Sequence, residues 1–266
     1  MFEEILEDIA QRNSLREVNT SLKLAVGLGG LVLCLVSTGY VAPLFIALAL
    51  IAALVLLARI DAYTVAELFV APAIFAATGV IVIVLTSGGV DPFWVWQPLS
   101  WLSLSVTPES IDRGFLVFCR TLGGMASLIF IALTTPMTDL FGVMRQCRLP
   151  AVLVELVMII YQTIFLLLDH LVLIYRAQLM RLGYSSPGEW IRSFSTLAGA
   201  GFIGAWNAGE DLIRAREMRC YDGKLVILGE VRPVAARPLL TATGFLALSA
   251  ALVVLTRSIT VFPTVP

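Results

Sequence analysis

Five long apolar runs leave this chain few ways to fold. They cover residues 22–38, 41–58, 68–86, 114–134 and 239–256. Each is close to the ~20 residues that a helix needs to cross the hydrocarbon core of a bilayer. Lipid offers no partner to a bare peptide group, so such runs become helices that satisfy their own backbone. Only 14% of the residues are charged, against about 25% in a soluble domain. The fold class is therefore all-α, a polytopic helical membrane protein with about five transmembrane helices.

The polar segments divide the chain. Residues 1–23 form an N-terminal segment in which Phe2, Ile5, Leu6 and Ile9 fall at helical spacing, which predicts a short amphipathic helix on the membrane surface. Residues 24–134 hold the first four spans. The first two are joined at Ser37-Thr38-Gly39-Tyr40, and Arg59 and Asp61 end that hairpin. Residues 87–113 are polar and aromatic, with Gly88-Gly89, Asp91-Pro92, Trp94, Trp96 and Trp101, and are expected along the opposite membrane face, where tryptophan favours the headgroups. Residues 239–266 are the last span and a short tail.

Residues 135–238 have a different character. They carry eleven of the eighteen Lys and Arg residues, which assigns them to the cytoplasm, and the N-terminus with them. Thr135-Pro136 reads as an N-cap and first helical residue of a short helix ending near Cys147-Arg148. A run from Ala151 to Arg181 follows. Its first 18 residues have the hydropathy of a span, whereas Glu155, Gln162, Asp169, His170 and Arg176 suit a helix buried in protein or lying at the interface. Ser186-Pro187-Gly188-Glu189 fits a capping box that opens a segment to about Cys220.

Within that module one phrase occurs twice, as Ala177-Gln-Leu-Met180-Arg181-Leu182-Gly183-Tyr184 and as Ala215-Arg-Glu-Met218-Arg219-Cys220-Tyr221. Each copy closes a helical pattern and is followed by turn residues. A basic residue there is favoured by the helix dipole by roughly 0.3–1 kcal/mol and can also bind lipid phosphates. Repetition favours a second reading, two similar sockets on a symmetric partner. A planar guanidinium makes bidentate bonds to carboxylates and carbonyls, and the apolar neighbours Met180, Leu182, Met218 and Tyr221 suit groove contacts.

In these phrases the chain resembles the transmembrane T component of energy-coupling-factor (ECF) transporters, of the CbiQ/NikQ type. That family carries two Ala-Arg-Gly-type motifs at the ends of coupling helices, matched here by residues 180–182 and 218–220, with Arg181 and Arg219 in register and the flanking Ala and Gly replaced. Asn13-Ser-Leu-Arg16-Glu-Val18, Lys23-Leu24, Arg148-Leu-Pro150 and Leu182-Gly183 add to the likeness. The resemblance implies that residues 135–238 are a cytoplasmic module of coupling helices. It implies a non-enzymatic scaffold that binds two ABC ATPase subunits, one per arginine, and a membrane substrate-binding S component, in cobalt(II) or nickel(II) uptake. Vitamin uptake by the same architecture is one alternative; a membrane enzyme acting on a lipid-linked phosphate through Asp169 and His170 is another.

Other chemistry finds no foothold in the sequence. GxxxxGK[ST], GxSxG and HExxH are absent, so ATP hydrolysis is expected in a partner. His170 is the single histidine and the four cysteines form no CxxC pair, so neither a metal site nor another cofactor is expected. A net charge of −1 gives no reason to expect nucleic acid. Glu67 and Arg120, at or in apolar runs, are candidates for an S-component interface, with pairing inside the bundle as the alternative for Arg120.

Overall fold

The computed structural model describes residues 9–10, 13–86, 94–99, 102–220 and 235–256. The chain divides into two compact units, one of residues 1–140 and 230–266, the other of residues 141–229. Its helices are α1 (Thr20–Val36), α2 (Val41–Ala52), α3 (Ala62–Thr86), α4 (Pro108–Thr134), α5 (Met137–Gln146), α6 (Ala151–Met180), α7 (Pro187–Met218) and α8 (Ala236–Leu255). A 3-10 turn over Ser14–Glu17 precedes α1, and α2 widens into a π-helical turn over Ala53–Leu57. Strands β1 (Trp94–Leu99) and β2 (Leu102–Val106) pair antiparallel where the sequence predicted only a loop. Gly88-Gly89, Asp91-Pro92 and Trp101 lie outside the described residues, as does most of the expected N-terminal amphipathic helix.

Helix α4 is the axis of the first unit and packs against α1, α2 and α3, while α8 packs on α1 and α2. Its start is fixed locally. The Thr107 hydroxyl accepts from the Ser110 N–H at 3.2 Å, the Ser110 hydroxyl accepts from the Thr107 N–H at 3.0 Å, and Pro108 occupies the first turn, where no N–H is needed. The buried face of α4 is built from small residues, Gly114, Gly123, Ala126 and Ser127, which let neighbouring backbones come close. A Cβ on Gly123 would sit 2.6 Å from Cys34 Sγ and 2.8 Å from the Pro43 carbonyl oxygen, so α1 and α2 both close on that one point. Ile46, Leu50, Leu54, Phe130 and Leu133 fill the core beside it.

Four of these helices are long and apolar enough to cross a membrane: α3, α4, α6 and α8. Helix α1 and the α2–π segment are apolar but shorter, at 17 and 12 plus 5 residues. The outward faces of α1 to α3 carry Val32, Leu35, Leu48, Leu56, Val70, Ile74 and Phe75 exposed, as lipid-facing helices do. The chain is a multi-pass helical membrane protein. Hydropathy located the apolar windows but not the helix starts: α3 begins at Ala62 and α4 at Pro108, each six residues before its window. The reading of Thr135-Pro136 shifts by one residue. Thr135 caps the end of α4, and the Pro136 carbonyl accepts the first bonds of α5.

Arg120 settles into the bundle. Its Nε donates to the Ser37 carbonyl oxygen at 2.8 Å, and its Nη2 reaches the same oxygen. The Ser37 hydroxyl in turn donates to the Gly39 carbonyl at 2.7 Å, so Arg120 pins the α1–α2 turn to the middle of α4. The guanidinium is therefore engaged internally, the alternative to an interface role.

Candidate functional site: the two arginine-tipped helix ends

The second unit contains α6 and α7, which pack on each other. Near Gly201, a Cβ would meet Leu171 Cδ2 at 2.7 Å, so the two helices are in close contact there. Phe141, Tyr161 and Phe165 stack edge to face at 5.7 and 5.1 Å between centroids.

Helix α6 stops at Met180. Arg181 is the C-cap, with φ −94° and ψ 12°, and Leu182 turns into the left-handed region at φ 58°. The Leu182 N–H donates to Leu179 O at 3.1 Å and the Gly183 N–H to Gln178 O at 3.0 Å. That bond pair is a Schellman end, in which the residue after the cap takes the left-handed conformation. Helix α7 ends with the same cap conformation, left-handed residue and first bond. Arg219 has φ −94° and ψ 14°, Cys220 has φ 53°, and the Cys220 N–H donates to Glu217 O at 3.1 Å. Tyr221 and Asp222-Gly223 lie outside the described residues.

The repeated phrase is thus a repeated backbone shape. The position after each arginine is the one at which glycine is cheapest, because a side chain at positive φ crowds the carbonyl oxygen. Leu182 and Cys220 hold it nonetheless. This accounts physically for glycine in an Ala-Arg-Gly-type pattern at such ends; the structure gives no reason for Leu and Cys in its place here.

All six predicted residues are exposed: Met180 (86%), Leu182 (73%) and Met218 (80%), together with Arg181, Arg219 and Cys220. Neither arginine side chain has a hydrogen-bond or ion-pair partner among the described residues. The structure brings each set of three together but keeps the sets apart. They lie at the two ends of α7, whose 32 residues extend over roughly 48 Å at 1.5 Å per residue.

The first tip is braced by Gly183 and Tyr184 of the phrase together with Gln178 and Ser193, whose roles sequence reasoning did not single out. Gln178 Nε2 donates to Ser193 O at 3.2 Å, the Ser193 hydroxyl donates to Gly183 O at 2.7 Å, and the Tyr184 hydroxyl donates to Gln178 Oε1 at 2.7 Å. The rings of Tyr175 and Tyr184 are 5.1 Å apart. The capping box at the start of α7 is half formed. Ser186 Oγ accepts from the Glu189 N–H at 3.3 Å, but the Glu189 carboxylate takes the hydroxyl of Ser185. Near the second tip, Glu210 accepts from Trp206 Nε1 at 3.0 Å and pairs with Arg214 at 3.2 Å. Asp169 and His170 stand exposed on α6, and among the described residues no three His, Cys, Asp or Glu side chains gather as a metal ion would need.

Comparison with known proteins gives this geometry a family. The CbiQ cobalt transport protein profile matches residues 11–227, a stretch that contains both tips. A protein of Methanocorpusculum labreanum described as a fused cobalt transport protein, CbiMQ, is 36% identical over 237 residues, 88% of this chain. The match spans only 40% of that longer relative. An uncharacterized protein of Methanocaldococcus jannaschii is 34% identical over 84% of this chain and 83% of its own length. The cobalt transport protein CbiQ of Rhodobacter capsulatus is 26% identical over 87% of this chain and 89% of its own. The likeness first carried by two short arginine phrases therefore extends over most of the sequence, and the chain belongs to the CbiQ cobalt transport protein family.

Proposed function

We propose that this chain is the transmembrane coupling (T) subunit of an ECF-type importer for cobalt(II) or nickel(II), and not itself an ATPase. Arg181 and Arg219, each flanked by an exposed methionine and a left-handed residue, dock into equivalent sockets on two cytoplasmic ABC ATPase subunits. A membrane S component captures the substrate. The arginine tips and the N-terminus face the cytoplasm of a multi-pass cell-membrane protein.

The observation that carries this reading is the identity of the two tips. Equivalent sockets on a symmetric partner need the same shape presented twice, and φ and ψ at Arg181 and Arg219 agree within two degrees. Their separation by the length of α7 suits two subunits and not one. Cobalt as cargo is supported by the names of the Methanocorpusculum and Rhodobacter relatives. The relative that continues well beyond the matched segment supports work alongside a further component.

Co-expression with the candidate ATPase subunits tests it. Truncating or reversing an arginine in a desolvated, bidentate socket costs about 2–5 kcal/mol, a loss of roughly 30-fold or more in affinity. Arg181→Glu and Arg219→Glu should each weaken co-purification, and the double variant should abolish it while the chain remains folded in the membrane. Undiminished binding of all variants returns the arginines to lipid contacts. Labelling of Ser185→Cys from the outside only would overturn the cytoplasmic assignment.

A further inference from the structure

The Met-Arg pair that marks both tips occurs a third time, at Met144-Arg145, and Arg148-Leu149-Pro150 follows two residues on. Arg145 lies in the last turn of α5. Four non-glycine residues have positive φ among the described residues, and three of them follow a Met-Arg pair: Arg148 (57°), Leu182 (58°) and Cys220 (53°). In each case the N–H of that residue donates to the carbonyl three positions back at 3.1 Å. The corner between α5 and α6 is therefore built on the same turn as the two tips. The register differs. At the tips the arginine comes just before the left-handed residue, whereas at the corner the left-handed residue is itself an arginine and Arg145 stands three before it.

Local chemistry holds this corner in shape. Leu149 precedes a proline, which keeps it out of the helical region. Pro150 caps α6, and its carbonyl accepts from the Leu153 N–H at 3.0 Å. One turn before Arg145, the buried Phe141 packs edge to face on Tyr161 of α6 at 5.7 Å. Arg145 and Arg148 are both exposed, and neither side chain has a partner among the described residues. A side chain at positive φ is crowded where glycine would not be, and the corner places a guanidinium there.

From this recurrence we infer that the α5–α6 corner is a third docking point for the ATPase pair, with Arg145 and Arg148 taking carboxylates on the surface of one subunit. The inference rests on the reading that Arg181 and Arg219 dock on those subunits. A lipid phosphate asks a cation for charge alone, and gives no reason for the same left-handed turn behind the same Met-Arg pair. A guanidinium held in a fixed orientation suits bidentate carboxylate recognition, and a corner already in shape loses little freedom on docking. The 30 residues of α6, about 45 Å of helix, separate the corner from Arg181, so it meets a different part of the pair.

The affinity of purified candidate ATPase subunits for the full chain, in nanodiscs of phosphatidylcholine without net charge, tests the assignment. Arg148→Gly keeps the left-handed turn, removes the guanidinium and relieves the crowding, so that a weaker complex is not a loss of fold. It should weaken binding about tenfold, the worth of one charge-assisted contact, and so should Arg145→Gln. Arg192→Gln, exposed on α7, should bind as wild type does. Wild-type affinity of Arg148→Gly beside a weakened Arg181→Glu overturns the third point and leaves the two-tip reading standing. Wild-type affinity of Arg181→Glu and Arg219→Glu as well overturns both. An effect of Arg148→Gly that appears only after phosphatidylglycerol is added to the nanodiscs assigns the corner to lipid and overturns its docking role.

Discussion

Lys23 places its ammonium 2.9 Å from the carbonyl oxygen of Thr134, across 111 residues of sequence, while only 3% of the residue is exposed. The last turn of α4 has carbonyls with no helical partner, and a cation there also meets the negative end of the helix dipole. Asn13 completes the clamp, its Nδ2 donating to Leu133 O at 2.9 Å and to Ala10 O at 2.9 Å. Replacing Lys23 by Met keeps most of the packing and removes the donor. The expected cost is about 1–3 kcal/mol, read as a lower midpoint of unfolding in detergent. An unchanged midpoint would mean that water serves the carbonyl equally well.

The left-handed helix ends predict an unusual sign. Substitution by glycine normally weakens a fold, but at Leu182 (φ 58°) and Cys220 (φ 53°) it relieves a crowding of about 1–2 kcal/mol. Leu182→Gly and Cys220→Gly should each raise stability by somewhat less than that, because glycine also gains freedom in the unfolded chain. Leu182→Val should lower it. Hydrogen exchange at Gly183 and the preceding turn is the local readout, and faster exchange in the glycine variant would contradict the left-handed assignment.

Adjacent glycines on α4 should part company. Gly123→Ala drives a methyl toward Cys34 Sγ and the Pro43 carbonyl, whereas a Cβ on Gly124 meets nothing within 4 Å. Overpacking of this kind costs about 1–3 kcal/mol. The yield of monodisperse protein on fluorescence-detected size exclusion should fall for Gly123→Ala and hold or improve for Gly124→Ala. Equal behaviour of the two would contradict the close approach of α1 and α2.

Arg120→Met removes both bonds to the Ser37 carbonyl. Bonds made by a charged donor contribute about 1.5–3 kcal/mol, so the α1–α2 turn should loosen. Maleimide labelling of a Ser37→Cys reporter, buried in the native turn, should accelerate in the Arg120→Met background. Labelling at the wild-type rate would show that the turn holds itself.

Hydropathy revealed the membrane class because lipid forces apolar residues to run continuously, and the ends of α6 and α7 were legible because Pro150, Ser186-Pro187 and the Met-Arg phrases are local signals. Long-range partnerships were not legible. Asn13 and Lys23 stood out as part of a family likeness, yet nothing within 20 residues of them says that they close α4. Arg120 could not be given its partner, since a main-chain oxygen leaves no mark in sequence. The hairpin of β1 and β2 was missed because tryptophans and a proline in a membrane protein read as interfacial loop before they read as strand. The shared left-handed turn behind Arg181 and Arg219 was hidden because Leu and Cys occupy positions where glycine would have announced it.

Helix α7 is, finally, a caliper. Under the docking reading proposed above, its 32 residues would set the distance between two sockets, and inserting four residues would lengthen that span by about 6 Å and turn one tip by about 40° against the other. On that reading, a docked partner pair that changed its own spacing would have to bend this rod or release one jaw. Gly199, Gly204 and Gly209 have open space where a side chain would be, so flexure there meets no packed neighbour. Alanine at all three would stiffen the jaws without altering either tip, making the stroke, and not the grip, the thing that fails.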